Sequence, residues 1–255
     1  MSKTLVGVNT LTEVKGQAYS SHCQEWFRMG RDTDDTFMLY NPIRTSIDNM
    51  RNTAVVHALR NEADYIYFID DDMILSPSTY RALKEADKDI IMANTIIRGY
   101  PYHNMSFIDP LDKLFTSNGP LPSGLEYFDD WAHYVDEKGL VRLDAIGNAT
   151  ALFKVSIFKD VEPPYFVTMP NCTEDVYCCM KLQRHYGRRN ISIYMHPGVP
   201  TGHILDPLIV CDKNAALLKK QFEEGFPELA AMMNPNPVDG DRGHDYAKEM
   251  EEAFK

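Results

Sequence analysis

Three consecutive carboxylates, Asp70, Asp71 and Asp72, close the apolar run YIYFI at 65–69. Side chains two apart on an extended backbone point the same way, so Asp70 and Asp72 can converge on one site while Asp71 turns away toward a hydrogen bond. A buried strand that ends in acids puts them in the crevice at the carboxyl edge of an α/β sheet, where such sheets bind ligands. Hard carboxylate oxygens suit Mn2+ or Mg2+, and an ion held there can neutralise the charge that builds on a departing diphosphate. Three adjacent acids also repel one another, which costs stability unless donors or a cation are at hand. The competing reading is a polar strand end that caps the next turn.

Thr173, Glu174 and Asp175 form a second acidic group at the start of a helix. Acids belong in a first helical turn because the macrodipole favours them there. The functional reading makes Asp175, with Glu174 beside it, a general base that takes the proton of an attacking hydroxyl. A helix N-terminus keeps a carboxylate ionised but weakens it as a base, so burial must offset that effect. His203, in PTGHI, is either a structural histidine or the imidazole that joins two carboxylates in an open metal site. His196 competes with it, and Gly202 ahead of His203 would let a ligand approach. Arg51 and Asn52 precede the acidic strand on a helix, where they either meet a phosphate or base or lie on a solvated face. Gly147, Asn148 and Ala149 make a small-residue turn, suited to close contact with a sugar or simply to joining two strands.

The elements that position these residues follow from periodicity. TLVGVN at 4–9 reads as a first strand, followed by a polar, turn-prone stretch. Ser46 caps a helix over 46–60, with Asp48 at its positive end and Ile47, Met50, Ala54 and Ala58 on one face. The strand at 65–69 comes next. Ser76 and Pro77 start a helix running to about Ala86, and DIIMANTII at 89–97 supplies another strand. That alternation implies an α/β domain with a central, mostly parallel sheet and helices on both faces. The pattern dissolves over 98–139. VRLDAIGNATALF at 141–153 reads as strand, turn and strand, followed by a short helix near Val155 to Val161. A helix over 173–187 ended by Gly187, a strand at 191–195 and a helix over 214–224 complete the main unit, 1–225. The remainder, 226–255, reads as the linker NPNPVDGDRGHD and an acidic terminal helix, YAKEMEEAFK.

Composition limits the partners. A formal charge of -11 over 255 residues argues against broad adhesion to nucleic acid or anionic membranes, which needs a dense set of Lys and Arg. A phosphate-bearing substrate must then be held by a few placed cations or by a metal. No run of roughly eighteen apolar residues occurs, and the chain goes straight into a strand-like pattern without a leader-like segment, so a cytoplasmic location without a membrane span is expected. Five cysteines without a repeated C-x-x-C pair fit reduced, structural thiols.

Taken in order, MRNTAVVHAL at 50–59, YFIDDDMILSP at 67–77, IGNATALFKVSIF at 146–158, PPYF at 163–166, TEDVYCCMKLQRHYG at 173–187 and TGHI at 201–204 resemble family 2 and related glycosyltransferases with the glycosyltransferase A fold. The resemblance implies a donor half near 1–100 and an acceptor half near 100–225. In such enzymes an Asp-x-Asp motif binds the divalent ion under the donor diphosphate, which falls on Asp70 and Asp72, and a later histidine, His203, completes the metal shell. The last acid of the Thr-Glu-Asp motif, Asp175, would be the base of an inverting transfer. Arg51, Asn52 and Asp71 would line the donor site, and Val8, Asn9 and Thr10 would hold the nucleotide base, UDP being the commonest carrier. The acceptor hydroxyl, near Gly147 to Ala149, would belong to a glycan, a small molecule or, as in some bacteriophages, a hydroxymethylated pyrimidine of DNA. The 98–140 stretch, where acceptor contacts would fall, matches nothing placeable.

Other classes make different demands. A haloacid dehalogenase-like phosphatase would use Asp70 as nucleophile, but it normally carries Thr or Val where Ile74 stands and has its motif near the N-terminus. A nucleotidyltransferase wants a glycine-rich basic loop after the first strand, where only Lys15 and Gly16 occur. A non-catalytic sugar-nucleotide or glycan binder would share the donor residues without turnover.

Overall fold

The computed structural model describes residues 1–10, 14–43, 45–109, 125–170, 172–205, 208–227 and 229–230. The expected linker and terminal helix beyond residue 230 lie outside them, as does 110–124 of the unassigned stretch.

Alternation along three strands sets the layers. In β1 (Lys3–Asn9), Leu5 faces one side and Val6 and Val8 the other; β3 (Tyr65–Asp70) and β5 (Ile90–Asn94) divide their apolar side chains in the same way. One face packs on α2 (Ile47–Arg60) and α4 (Glu174–Tyr186) through Ala54, Val55, Val176 and Cys179. The other packs on α1 (Gly16–Asp32) and α3 (Thr79–Glu85) through Met29, Tyr80 and Leu83. Being covered on both faces, the central strands carry continuous apolar runs.

The central sheet has the order β2-β1-β3-β10-β5-β11-β8, with β2 at Thr36–Tyr40, β8 at Val141–Arg142, β10 at Thr150–Lys154 and β11 at Ile193–Pro200. β1 is parallel to β2 and β3, and β5 to β11. β10 is antiparallel to both β3 and β5, and β8 to β11. Thus β2, β1, β3, β5 and β11 share one direction, and their carboxyl ends open on one edge. Two small sheets frame that edge: β4 (Met73–Ile74) with β12 (Gly202–Leu205) and β13 (Leu208–Val210), and β6 (Ser106–Ile108) with β7 (Glu126–Tyr127) and β9 (Ala145–Ile146). The last described helix is α5 (Ala215–Gly225). No helix among the described residues is long and apolar enough to cross a membrane.

Several elements differ from the sequence expectation. The polar stretch after β1 contains α1, and β2 follows it; α1 escaped notice because only Ala18, His22, Glu25 and Met29 are buried, two of them polar. Helix α3 starts at Thr79 and not at Ser76–Pro77, because Ser78 takes a left-handed turn first and the Ser76 carbonyl accepts from the Thr79 N–H. VRLDAIGNATALF supplies three short strands, β8, β9 and β10, each in a different pairing. The segment after it is a short 3-10 turn, Val155–Phe158. Ser46 precedes α2 without a side-chain cap bond.

Candidate active site

β3 ends at Asp70, and Asp71 and Asp72 form the turn into β4. The extended geometry that would align Asp70 with Asp72 therefore stops one residue early, and the two carboxylates meet different partners. Asp70 Oδ1 accepts from Asn9 Nδ2 at 3.1 Å and from Arg51 Nη2 at 3.2 Å. Asp72 pairs with Arg98 and with His203, whose Nε2 lies 3.4 Å from Asp72 Oδ2. Burial raises the Asp70 carboxyl above its ordinary range against the pull of Arg51 and Asn9. Burial also raises Asp72, but there His203 and Arg98 outweigh it and hold the carboxyl below its usual value. The mutual repulsion anticipated for the three acids is thus relieved in part by the protein's own cations. Asp71 uses its backbone carbonyl to accept from the Lys15 N–H at 3.3 Å.

Arg51 is the hub of the site. It is not on a solvated face; it is 2% exposed, pushed inward from α2. Its guanidinium donates to Asp70, to Glu174 and to the Asn148 carbonyl at 3.2 Å, and stands 3.9 Å from Asp175. Burial alone would lower its pKa, but Asp70, Glu174 and Asp175 together raise it. A planar fork with several donors is the side chain suited to so many acceptors at once.

Thr173 precedes α4, so Glu174 and Asp175 occupy its first turn. Asp175 Oδ2 accepts from the Asn148 N–H at 3.0 Å; Oδ1 accepts from the Thr173 hydroxyl and from the Val176 N–H. Glu174 is pushed up to about 7, chiefly by burial, with Asp175 and Asp70 adding to the shift and Arg51 opposing it. The two acidic groups, far apart in sequence, are therefore joined through one arginine and the 147–149 turn, whose Ala149 carbonyl accepts the Asp70 N–H at 2.8 Å.

His203 Nδ1 lies 3.0 Å from the Ile96 carbonyl, which can only accept, so Nδ1 carries the proton and Nε2 faces Asp72. Two acceptors do not rest against each other without a proton or a cation between them. Burial lowers the imidazole pKa, but Asp72 and the Ile96 carbonyl outweigh it and raise it. His196 stands on β11 with Nδ1 buried and unpartnered, so His203 is the histidine set against Asp72. Asp72 and His203 are the side chains here that could hold a divalent cation, once Arg98 gives way. Among the described residues no group of three His, Cys, Asp or Glu is gathered as a metal cluster, because Asp70 is turned to Arg51.

The remaining expected residues divide. Val8, Asn9 and Thr10 lie at the carboxyl end of β1, all buried, with Asn9 paired in register to Asp70. Asn9 Oδ1, Thr10 Oγ1 and both amide atoms of Asn148 are buried without a protein hydrogen-bond partner. Asn52, expected along the donor site, instead clasps the 163–166 segment: its Oδ1 accepts from the Tyr165 and Phe166 N–H groups and its Nδ2 donates to the Phe166 carbonyl. Gly147 is small because a Cβ would lie 2.2 Å from Met105 Cε, and Gly202 because one would lie 2.6 Å from Ile209 Cγ2. Arg98 was missed, although it directly follows an apolar strand and so belongs to the same crevice.

The Anp1 family model, which represents a glycosyltransferase-like family, matches residues 17–113. No curated protein matches the chain. Among solved structures, A197 from STIV is similar over 84% of this chain and 91% of its own, at 12% identity and a TM-score of 0.53. Mannose-1-phosphate geranyltransferase from Thermus thermophilus aligns with 79% of this chain and 76% of its own, at 12% identity and a TM-score of 0.35. HddC from Yersinia pseudotuberculosis aligns with 87% of this chain and 100% of its own, at 9% identity and a TM-score of 0.31. The family match, the mostly parallel sheet and the likeness to A197 give this chain a glycosyltransferase A-like fold.

Proposed function

We propose that this protein is a metal-dependent glycosyltransferase that moves a sugar from a nucleotide diphosphate donor, UDP-linked, to an acceptor hydroxyl with inversion. The partial match to a glycosyltransferase-like family supports the class. The observation that carries the reading is the convergence of Asp70, Glu174 and Asp175 on Arg51 at the carboxyl edge of the sheet, with Asp72 and His203 paired to each other at the same strand end.

In this reading the donor base lies against Asn9 and Thr10 and the diphosphate passes over Asp72. Asp72 and His203 would hold Mn2+ or Mg2+, which when bound supplies neutralisation of the leaving diphosphate. Arg98, 57% exposed along its side chain, can exchange Asp72 for a phosphate oxygen. The acceptor oxygen attacks the anomeric carbon, the bond from that carbon to the diphosphate breaks, and the acceptor proton passes to Asp175. Three hydrogen bonds to Asp175 fix its orientation. The buried Glu174 carboxyl beside it keeps the charge of the pair responsive near neutral pH. The phosphatase alternative is disfavoured because its nucleophile would be Asp70, which is held by Arg51 and Asn9.

A panel of nucleotide sugars with Mn2+, scored for nucleotide release and thermal shift, tests class and donor together. Release that needs both Mn2+ and one class of donor supports the reading. A donor-dependent shift with no release under any acceptor condition would instead make the protein a sugar-nucleotide binder.

A further inference from the structure

We propose that Arg98 is a latch: it competes with a divalent cation for Asp72, and a nucleoside diphosphate that draws its guanidinium away makes cation and diphosphate binding reinforce each other. The proposal rests on the glycosyltransferase reading above and names how that same site is regulated.

Two side chains converge on one carboxylate oxygen. Asp72 Oδ2 accepts from Arg98 Nη1, and the same Oδ2 lies 3.4 Å from His203 Nε2. An ion held jointly by Asp72 and His203 needs the oxygen that faces the imidazole, and there it would meet the guanidinium. Two positive charges on one oxygen repel each other, and the Asp72 side chain, 11% exposed, leaves little water to screen them. Arg98 and a cation therefore compete for this oxygen.

The partners differ in what can move. Asp72 is pinned through its carbonyl, which accepts the Ile204 N–H at 3.0 Å, and His203 pairs in register with Met73. The imidazole is held by the Ile96 carbonyl at 3.0 Å. Arg98 comes two residues later, at the start of a turn in which the Ile97 N–H donates to the His103 carbonyl at 2.9 Å and the Tyr102 N–H to the Gly99 carbonyl at 2.8 Å. That turn is tied to α5, where Tyr100 stacks on Phe222 with centroids 4.5 Å apart and donates its hydroxyl to Glu223 at 3.1 Å. The backbone on both sides of the ion pair is thus fixed. The Arg98 side chain, 57% exposed, is the part that can swing.

A guanidinium fork binds phosphate oxygens as readily as carboxylates. A diphosphate in the crevice offers it more negative charge than the Asp72 oxygen it shares with His203, and its departure frees that oxygen for a cation. By linkage, the factor that the diphosphate adds to cation affinity is the factor that the cation adds to diphosphate affinity. Neither ligand gains that factor alone, so the site fills with cation and donor together.

The test compares the full chain, stripped with EDTA, as wild type, Arg98→Met and Arg98→Gln, with Asp72→Asn as the site control. Mn2+ alone is titrated by loss of the free-ion electron paramagnetic resonance signal. UDP alone is titrated by calorimetry in EDTA, with uridine as the ligand that lacks phosphates. Both Arg98 variants should bind Mn2+ alone about fivefold or more tighter than wild type, and UDP alone about fivefold or more weaker, with uridine unchanged. Opposite shifts of this kind do not arise from a loss of folding, which would weaken every ligand. Mn2+ affinity in both variants at or below that of wild type overturns the latch, as does an unchanged UDP affinity. Mn2+ binding that survives intact in Asp72→Asn removes the cation from Asp72 and the latch with it. Binding of neither Mn2+ nor UDP by any of the chains counts instead against the glycosyltransferase reading itself.

Discussion

Replacing Arg51 by Met removes the one cation that Glu174, Asp70 and the Asn148 carbonyl share. Breaking a buried ion pair by removing one partner costs about 3–5 kcal/mol, because the other charge stays buried. Asp70 keeps Asn9 and a side chain 25% open to water, so the loss falls mainly on Glu174, whose side chain is 8% exposed. For a chain of this size that corresponds to a melting temperature lowered by about 6–20 °C. The pH dependence follows from Glu174. Its carboxyl is raised from 4.5 to about 7 in the folded chain, so between these values the native state holds a proton that the unfolded state has lost. Stability therefore falls as pH rises through that window, by about 3 kcal/mol in the wild type, and levels off above it. Without Arg51 the folded pKa climbs further and the window widens. The deficit of Arg51→Met should thus be largest near pH 8 and shrink toward pH 5, and Arg51→Met with Glu174→Gln should recover much of it. Urea unfolding followed by circular dichroism at a series of pH values measures this. A variant within about 1 kcal/mol of wild type at pH 8, or a deficit independent of pH, would show that Arg51 is not the hub described.

Asp72→Asn and His203→Ala should each abolish the Mn2+-dependent part of the donor thermal shift while leaving the metal-free melting temperature within a few degrees, about 1–2 kcal/mol. Asp175→Asn should lower transfer by about 10²–10⁴-fold with donor binding retained, measured as nucleotide release against thermal shift. Asn52→Ala should destabilise by about 2–4 kcal/mol, through its lost bonds to the 165–166 backbone, yet leave the donor dissociation constant unchanged. A weakened donor constant would restore Asn52 to the donor site. Gly147→Ala should cost about 1–3 kcal/mol by driving a methyl into Met105, and Met105→Ala in the same chain should relieve only part of it, because the Met105 Cβ that remains lies 2.8 Å away; unfolding curves of the three variants decide.

The sequence was most legible where periodicity and burial agree. YIYFI is apolar on both faces because β3 is covered by helices on both faces, and Thr173 with Gly187 marked the ends of α4 because their backbone roles are local. It was least legible where polar residues do interior work. His22 and Glu25 are buried in α1, Glu25 accepting the Ser78 and Tyr80 N–H groups, so the helix lacks a plain apolar stripe. Asn52 shows the same difficulty at the site: adjacent to Arg51 in sequence, it points about a quarter turn away on the helix and serves a different segment. The residue types of the acidic motifs were readable, but their partners were not, since Arg51, Arg98 and His203 reach them only through tertiary contact.

The partition of charges explains why one arginine sits at the centre. Asp70, Glu174 and Asp175 are held close together around Arg51, and their mutual repulsion opposes that placement. A metal is not available to all three, because Glu174 and Asp175 stand on α4 while Asp72 and His203 lie across the strand end. A permanently charged guanidinium, always protonated and multidentate, holds the first group without competing for substrate. Asp72 is left with partners that can yield: an exposed Arg98 and a histidine whose Nε2 can trade its proton for an ion. The fixed cation therefore builds the site, and the exchangeable ones lie where a phosphate-bearing donor would enter.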